Sequence, residues 1–267
     1  MTVFDLTGRT ALVTGGAQGL GAGIADALAR AGAAVMIGDR QQETGRESAE
    51  AIGKHGGKSG FVRMDITVEA DWESAVSRCL DEFGGFDILI NNAGIELSAL
   101  IIDTDADDLT RMLQVNVVGT ALGIKHAFRA MRPGGIAGNG GVLVNVSSVA
   151  ATIAFPGISG YSATKSAVDR LTRVAALESG KLGYGVRVNC LYPGLVPTAM
   201  GTALAGDMVE LGLWPSAEAA VGDVIGLTPL GRLGEVADIA DAAVFLASDA
   251  SRFVHGHGLA VDGGMGM

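Results

Sequence analysis

The sequence is poor in the residues from which disulfide frameworks and metal centres are built. Among its 267 residues are two cysteines, Cys79 and Cys190, too few for either arrangement. Cys190 lies in an apolar run and is expected to be a small core residue. The four histidines are not accompanied by a cluster of cysteines and carboxylates. We therefore expect no metal ion.

The histidines are expected to have ordinary structural places. His55 and His126 fall within helical patterns, and both are expected on the surface. His255 and His257 lie in a glycine-rich stretch before the last predicted strand. This pair is expected to belong to a turn rather than to a metal site.

Basic residues are also scarce. Lys and Arg number 19 against 29 Asp and Glu, which gives a net charge of −10 and an isoelectric point of about 4.8. Nucleic acids and anionic membrane surfaces attract clusters of positive charge, and no run of Lys and Arg exists here. The composition therefore disfavours nucleic-acid and membrane-surface binding, and we expect the acidity to serve solubility.

Long apolar runs are absent. No uninterrupted apolar stretch approaches the ~20 residues that span a membrane. Near the start, Asp5 and Arg9 interrupt any apolar core of a signal peptide. These absences predict a soluble, cytoplasmic protein.

What is abundant is glycine and apolar sequence. The chain has 41 Gly, and hydrophobic residues make up 48% of it, so a sizeable core is expected. Apolar strand candidates alternate with helical patterns from end to end. The predicted strands are 10–14, 34–38, 61–66, 86–91, 142–146, 186–191 and 259–261. The predicted helices are 20–32, 41–54, 69–83, 107–131, 161–182 and 236–247.

This alternation predicts an α/β fold with a doubly wound parallel sheet of about seven strands and helices on both faces. The composition does not change along the chain, so residues 1–267 are expected to form a single domain. Residues 195–233 break the rhythm and are too long for an ordinary connection. They are expected to form a lid on the substrate side, either packing on the body or enclosing a pocket.

A glycine-rich turn lies between the first strand and the first helix. Residues 14–21 read TGGAQGLG, and such glycines let the backbone approach a pyrophosphate at a helix N-terminus. Asp39 ends the next strand, 20 residues after Gly19, where a carboxylate can bind the ribose hydroxyls of a dinucleotide. Because a carboxylate repels the additional phosphate of NADP, Asp39 favours NAD. Arg40 follows directly and is able in principle to bind that phosphate.

Tyr161 and Lys165 are four residues apart in a predicted helix and therefore share a face. A nearby cation favours phenolate, so the pair is expected to make a proton-transfer group. Ser148 lies thirteen residues before Tyr161, and the adjacent Ser147 offers a second hydroxyl.

Together these motifs resemble the short-chain dehydrogenase/reductase family over essentially the whole chain. Further support comes from NNAG at residues 91–94 and from Pro193-Gly194 with Thr198. The resemblance implies catalytic roles for Asn116, Ser148, Tyr161 and Lys165, and it selects Ser148 over Ser147. In this scheme Tyr161 accepts the alcohol proton, Lys165 lowers its pKa, Ser148 binds the developing alkoxide, and Asn116 holds a water.

The resemblance also implies the residues that bind the dinucleotide, with Asp65 beside the adenine. The expected set is Gly15, Gln18, Gly19, Leu20, Gly21, Asp39, Asp65, Ile66, Asn92, Ala93, Gly94, Tyr161, Lys165, Pro193, Gly194, Val196 and Thr198. Asn91 and Asn92 are expected to pin strand ends, with Asn91 nearer the cofactor.

Substrate contacts are expected from loops beyond the carboxyl ends of the strands. The candidates are Glu96, Ala150, Phe155, Tyr192, Met200 and Trp214. The apolar character of 195–233 favours an apolar cyclic, aromatic or steroid alcohol, although a lid that only packs on the body remains open. Glu96 is expected to face either a substrate hydroxyl or solvent.

The predicted function is an NAD-dependent interconversion of a secondary alcohol and a ketone. One alternative is a ketoreductase resembling 3-oxoacyl-carrier-protein reductase, which the acidic charge and Asp39 disfavour. The other is a dinucleotide sensor without turnover, which the intact set of Ser148, Tyr161 and Lys165 disfavours. The resemblance also implies a homotetramer that buries the helices 107–131 and 161–182 and the C-terminal residues 259–267.

Overall fold

The computed structural model describes residues 3–267, and it places a seven-stranded parallel sheet at the centre of the fold. The strands are β1 (Thr10–Thr14), β2 (Ala34–Asp39), β3 (Lys58–Arg63), β4 (Ile88–Asn91), β5 (Gly141–Val146), β6 (Val186–Pro193) and β7 (Gly258–Val261). Their order in the sheet is β3-β2-β1-β4-β5-β6-β7. The chain therefore adds strands on one side of β1 up to β3 and then on the other side from β4 onward, and the switch point lies between β1 and β4. The predicted doubly wound sheet is confirmed.

Helices cover both faces of the sheet. They are α1 (Gly19–Arg30), α2 (Gln42–Lys54), α3 (Glu69–Phe83), α4 (Ala106–Met112), α5 (Thr120–Met131), α6 (Ser159–Leu182), α7 (Ala199–Glu210), α8 (Ala217–Gly226) and α9 (Val236–Ala247). Alternating strand residues supply the two cores. Val13 packs with α1, α2 and α9, whereas Leu12 packs with α3, α5 and α6.

The edge strand β3 lies three residues earlier than the apolar pattern predicts. Its register pairs Ala34 with Lys58 and Asp39 with Arg63, and Met64 and Ile66 follow the strand as buried residues. At a sheet edge the pairing with the neighbouring strand sets the bounds, and side chains there are partly solvated. The apolar residues predicted as strand instead fill the space at its carboxyl end.

The predicted long helix 107–131 begins at Ala106, and Asp105 is its cap. The Asp105 carboxylate accepts hydrogen bonds from the amides of Asp107 and Asp108, at 2.8 and 3.1 Å. A π-helical turn, Leu113–Gly119, joins α4 to α5. Such turns displace a side chain from the ordinary helical position, and here the displaced residues include Asn116.

His126 is buried, so its predicted place on the surface is wrong. Its exposed fraction is 6%, and its ring stacks on Trp72 with centroids 6.5 Å apart. The cause is the packing of α3 against α5, which the periodicity of α5 alone does not reveal. Cys190 is fully buried, as predicted.

Residues 195–233 form two helices, α7 and α8, rather than an irregular segment. The hydroxyl of Thr198 caps α7 by accepting from the amide of Gly201, and the hydroxyl of Ser216 caps α8 by accepting from the amide of Ala219. The glycines and the weak periodicity concealed these helices.

Within residues 3–267, no helix is both long and apolar enough to cross a bilayer.

Candidate active site

A cavity of about 1140 Å³ opens at the carboxyl ends of the strands, at the switch point between β1 and β4. Each residue expected to bind the dinucleotide lines it. So do Ser148, Tyr161 and Lys165, together with Glu96, Ala150, Phe155, Met200 and Trp214. The tertiary structure therefore brings residues from most of the chain into one site.

The glycine turn is a cradle that side chains would fill. A Cβ atom on Gly21 would lie 2.1 Å from the carbonyl oxygen of Gly15, and one on Gly15 would lie 2.8 Å from the Cα of Ala93. Gly15 and Gly19 also have φ values of +63° and +57°. The turn therefore requires glycine, and it directs the N-terminus of α1 into the cavity.

The NNAG segment holds this turn against β4, and here the structure corrects the expectation about the two asparagines. Asn92 Nδ2 donates to the carbonyl oxygens of Thr14 and Gly15 at 3.0 and 3.1 Å, so Asn92 is the one beside the cofactor turn. Asn91 is buried and donates to Asn145 Oδ1 at 2.8 Å. The two differ because adjacent strand residues point to opposite faces.

Asp39 is held at the end of β2 by backbone amides. Its carboxylate accepts from the amides of Ala17 and Gln41 at 3.1 and 2.9 Å, and it lines the cavity. Arg40 Nη1 lies 3.5 Å from Asp65 Oδ2 on the rim. Arg40 is therefore paired with another residue that lines the cavity.

Lys165 lies beneath Tyr161 on α6. The Lys165 ammonium is buried, donates to the carbonyl oxygen of Val146 at 2.8 Å, and lies 5.5 Å from the centroid of the Tyr161 ring. Burial lowers the pKa of Lys165 to about 8. Its position on the face of Tyr161 agrees with the i, i+4 prediction.

The predicted lowering of the Tyr161 pKa is wrong when only the groups of the protein surround the phenol. Burial raises the pKa of Tyr161 to about 12, a hydrogen bond with Ser148 opposes that rise, and the negative charge of Glu96 adds to it. Sequence spacing indicates the neighbouring cation but not the desolvation that outweighs it.

The two serines at the end of β5 have different partners. Ser147 is buried, and its hydroxyl donates to the backbone carbonyl oxygen of Lys165 at 2.8 Å. Ser148 is partly exposed and lines the cavity together with Tyr161, whose pKa it lowers. Its oxygen also accepts from the amide of Ala150 at 3.1 Å. This geometry favours Ser148 as the hydroxyl that meets a substrate.

Asn116 does not line the cavity. Its side-chain amide accepts from the amide of Ile95 and donates to the carbonyl oxygen of Ile95, both at 2.8 Å, and it donates to Thr164 Oγ1 at 3.0 Å. Asn116 therefore clamps the chain after NNAG to the helix that carries Tyr161. The amino-acid sequence does not indicate this clamp, because it depends on the π-helical turn.

Tyr192 is the one substrate candidate that the cavity does not include. Its hydroxyl donates to Asp169 on α6, and its ring lies against Gly258 of β7, where a Cβ would be 2.2 Å from it. The structure thus corrects this expectation, since Tyr192 is held by α6 and β7 and does not line the cavity. Contacts that the sequence analysis missed come from the far end of the chain and from α8, namely Ala220, Val221, Val224 and Met265.

The substrate side of the cavity is apolar. Met208 and Ala220 from α7 and α8 form a buried cluster with Ala150 and Ile158, and Phe155 and Tyr161 pack against this cluster. Burial raises the pKa of Glu96, which also lines the cavity, to about 7. A hydrogen bond from Ser98 opposes this rise, and the charge of Asp207 adds to it.

Comparison with known proteins decides the family. A family model described as enoyl-(acyl carrier protein) reductase matches residues 15–266. The chain belongs to the short-chain dehydrogenase/reductase family. It is 36% identical to a trans-4-hydroxycyclohexanecarboxylate dehydrogenase of Sinomonas cyclohexanicum, over 96% of this chain and 92% of that one. It is also 36% identical to a cyclopentanol dehydrogenase of Comamonas sp. (strain NCIMB 9872), over 96% of both.

Solved structures agree with this assignment. A gluconate 5-dehydrogenase of Burkholderia cenocepacia J2315, in complex with NADP and tartrate, has a TM-score of 0.85 and 35% identity over 98% of this chain and 96% of that one. A short-chain type dehydrogenase/reductase of Mycobacterium marinum has a TM-score of 0.88 and 31% identity over 98% of this chain and 97% of that one. The chain is therefore an oxidoreductase of this family.

The family's nicotinamide dinucleotide fits the residues present. The close approach of Gly15 and Gly21 leaves backbone rather than side chains at the mouth of α1, as a pyrophosphate requires. Among the residues the structure describes, no three His, Cys, Asp or Glu side chains are placed to hold a metal ion.

Proposed function

We propose that the protein is an NAD-dependent oxidoreductase that interconverts a secondary alcohol and a ketone. The observation that carries this proposal is the arrangement around Tyr161. Tyr161 lines the same cavity as Ser148 and has Lys165 beneath its ring, between the glycine cradle and an apolar pocket.

The roles of the side chains follow from their positions. In the oxidising direction Tyr161 accepts the proton of the substrate hydroxyl, and Ser148 donates a hydrogen bond to the same oxygen as negative charge develops. Lys165 supplies the positive charge that opposes the effect of burial on the phenol. The bound nicotinamide supplies the hydride acceptor. Asn116 is a positioning residue, since it clamps Ile95 beside the site.

Two observations support NAD as the cofactor. Asp39 presents a carboxylate where the 2′-phosphate of NADP would lie, and backbone amides fix it there. Arg40 is paired with the carboxylate of Asp65, which competes with a phosphate for the guanidinium. The test is the ratio of kcat/KM for NAD and NADP with one alcohol. A preference for NADP would overturn this part of the proposal.

The substrate proposed is a largely apolar cyclic, aromatic or steroid alcohol. Support comes from the apolar cluster formed by α7 and α8, which we propose to act as a lid, and from relatives named for cyclic alcohols. The experiment is a panel of such alcohols with NAD, followed by the absorbance of reduced nicotinamide. Loss of turnover in Tyr161→Phe is the expected control result, whereas unchanged turnover would defeat the proposed mechanism.

Two other functions are less well supported. A 3-oxoacyl-carrier-protein reductase would be expected to present basic surface to an acidic partner, and this chain carries a net charge of −10. A sensor without turnover would not require Ser148, Tyr161 and Lys165 to be assembled around one cavity.

We also propose a cytoplasmic homotetramer. Several apolar side chains of the π-helical turn and α6 are exposed in the single chain, among them Leu113, Val118, Val174, Leu177 and Leu182. Exposed apolar patches of this kind mark protein interfaces. Sedimentation analysis at micromolar concentration tests the proposed state, and a monomer would contradict it.

A further inference from the structure

One carboxylate stands apart from the apolar lining of the substrate side. Within residues 3–267, three acids line the cavity, and two of them, Asp39 and Asp65, belong to the dinucleotide end. The third, Glu96, follows β4 directly after the NNAG segment. It shares the substrate side with side chains such as Phe155, Leu204 and Trp214.

The Glu96 carboxylate has few partners. Among the described residues, its side chain accepts one hydrogen bond, from Ser98 Oγ at 2.9 Å. A carboxylate has about four acceptor positions, and leaving them unsatisfied in a partly buried place is unfavourable. The pKa of Glu96 is accordingly raised to about 7, chiefly by burial. The group is therefore ready to accept hydrogen bonds from a molecule in the cavity.

Glu96 also lines the same cavity as Tyr161 and Ser148. Its charge raises the pKa of Tyr161, and the charge of Asp207 on α7 raises the pKa of Glu96. Leu204 of α7 lines this cavity as well. A substrate group that reaches Glu96 therefore occupies the same cavity as the carbon that Tyr161 and Ser148 address.

We propose that Glu96 determines specificity by accepting a hydrogen bond from a second hydroxyl group of the substrate. The favoured substrates are neutral cyclic diols or hydroxylated ring alcohols, and carboxylic acids are rejected. This inference rests on the proposed function, because it deepens the description of the same site.

The charges that line the cavity disfavour a substrate that carries a carboxylate. The cations that line the described cavity are Arg40 and Arg63 near the dinucleotide end, and Lys165, which is bonded to Val146. A substrate carboxylate on the other side would therefore meet Glu96 and the nearby Asp207 without a free cation to bind it. A hydroxyl donor satisfies the carboxylate without adding charge.

The experiment compares matched alcohols with the full-length enzyme and NAD. The substrates are cyclohexanol, trans-cyclohexane-1,2-diol, trans-2-aminocyclohexanol and trans-4-hydroxycyclohexanecarboxylate. For the wild type we expect kcat/KM for the diol to exceed that for cyclohexanol roughly 10- to 100-fold. This is well beyond the factor of two that arises from two equivalent hydroxyls. The acid is expected to be the poorest substrate.

The effect of each variant is measured as a change in the ratio of kcat/KM for the diol to kcat/KM for cyclohexanol, rather than as a change in absolute activity. The ratio is expected to fall toward two in Glu96→Leu and to be intermediate in Glu96→Gln, which keeps the shape and a weaker acceptor. Ser98→Ala is expected to reduce it less. A ratio that is equal in the wild type and in both Glu96 variants would overturn the inference, as would a preference for the amino alcohol or the acid.

A binding measurement separates this inference from the proposed function. In Tyr161→Phe loaded with NAD, the diol is expected to raise the melting temperature more than cyclohexanol does, and Glu96→Leu in the same background is expected to abolish the difference. Absence of turnover in the wild type, together with this shift, would contradict the proposed function and uphold the inference. An equal shift for both alcohols would contradict the inference.

Discussion

The hydroxyl of Ser147 donates a hydrogen bond to the backbone carbonyl oxygen of Lys165, at 2.8 Å. This bond ties the end of β5 to the second turn of α6, the helix that carries Tyr161. The neighbouring Ser148 lines the cavity together with Tyr161. The two adjacent serines thus have different roles: Ser147 binds α6, and Ser148 is the hydroxyl proposed to bind the substrate.

Alanine substitutions are expected to separate these roles. Ser148→Ala removes a donor to the developing alkoxide and should lower kcat by about 10²- to 10³-fold without changing the melting temperature. Ser147→Ala removes a buried hydrogen bond of about 1 kcal/mol and should lower the melting temperature by about 2–4 °C. Its kcat should change much less than that of Ser148→Ala. Steady-state kinetics and thermal melts measure both, and the reverse pattern would assign the roles the other way.

Phenylalanine substitutions provide a second matched pair. Tyr161→Phe removes the proton acceptor and should reduce kcat/KM by about 10²- to 10⁴-fold, while NADH binding measured by fluorescence persists. Tyr192→Phe removes a hydroxyl bonded to Asp169 outside the cavity. It should destabilise the fold by about 1–3 kcal/mol in urea denaturation with kcat retained. Loss of kcat in Tyr192→Phe would contradict the structural role assigned to it.

The glycine cradle is testable with a third pair. Gly21→Ala would place its Cβ 2.1 Å from the Gly15 carbonyl oxygen, so the turn must shift and dinucleotide affinity should fall by at least about tenfold. Gly53, on the exposed face of α2, has nothing within 4 Å of the added methyl group. Gly53→Ala should therefore leave affinity unchanged and stabilise the protein by up to about 1 kcal/mol. Calorimetric titration with NADH measures affinity, and equal affinities in the two variants would count against the cradle.

The pH dependence of oxidation follows from the phenol. Oxidation requires deprotonated Tyr161, and burial raises its pKa to about 12, so activity is lost as pH falls. We expect the rate to rise from pH 7 toward pH 9, because the fraction of phenolate grows with pH throughout the range below this pKa. Lys165→Met should lower the rate and move the rise to higher pH. A flat profile, or one unchanged by Lys165→Met, would argue against Tyr161 as the base.

Local patterns were sufficient for the cofactor half of the site. The glycine turn, the acid at the end of β2 and the apolar strands are each encoded in consecutive residues. A parallel sheet then brings the carboxyl ends of its strands to one edge. For this reason the predicted dinucleotide residues lie around one cavity.

The sequence by itself determined the alternation of strands and helices outside residues 195–233 and the spacing of Ser148, Tyr161 and Lys165, because these depend on periodicity and short motifs. Only the tertiary structure decided which of two adjacent residues with the same side chain faces the site. Ser147 and Ser148, like Asn91 and Asn92, point in opposite directions, and the packing of the sheet selects between them. Burial likewise raised rather than lowered the pKa of Tyr161, since desolvation depends on the elements that enclose a group rather than on its neighbours in the chain.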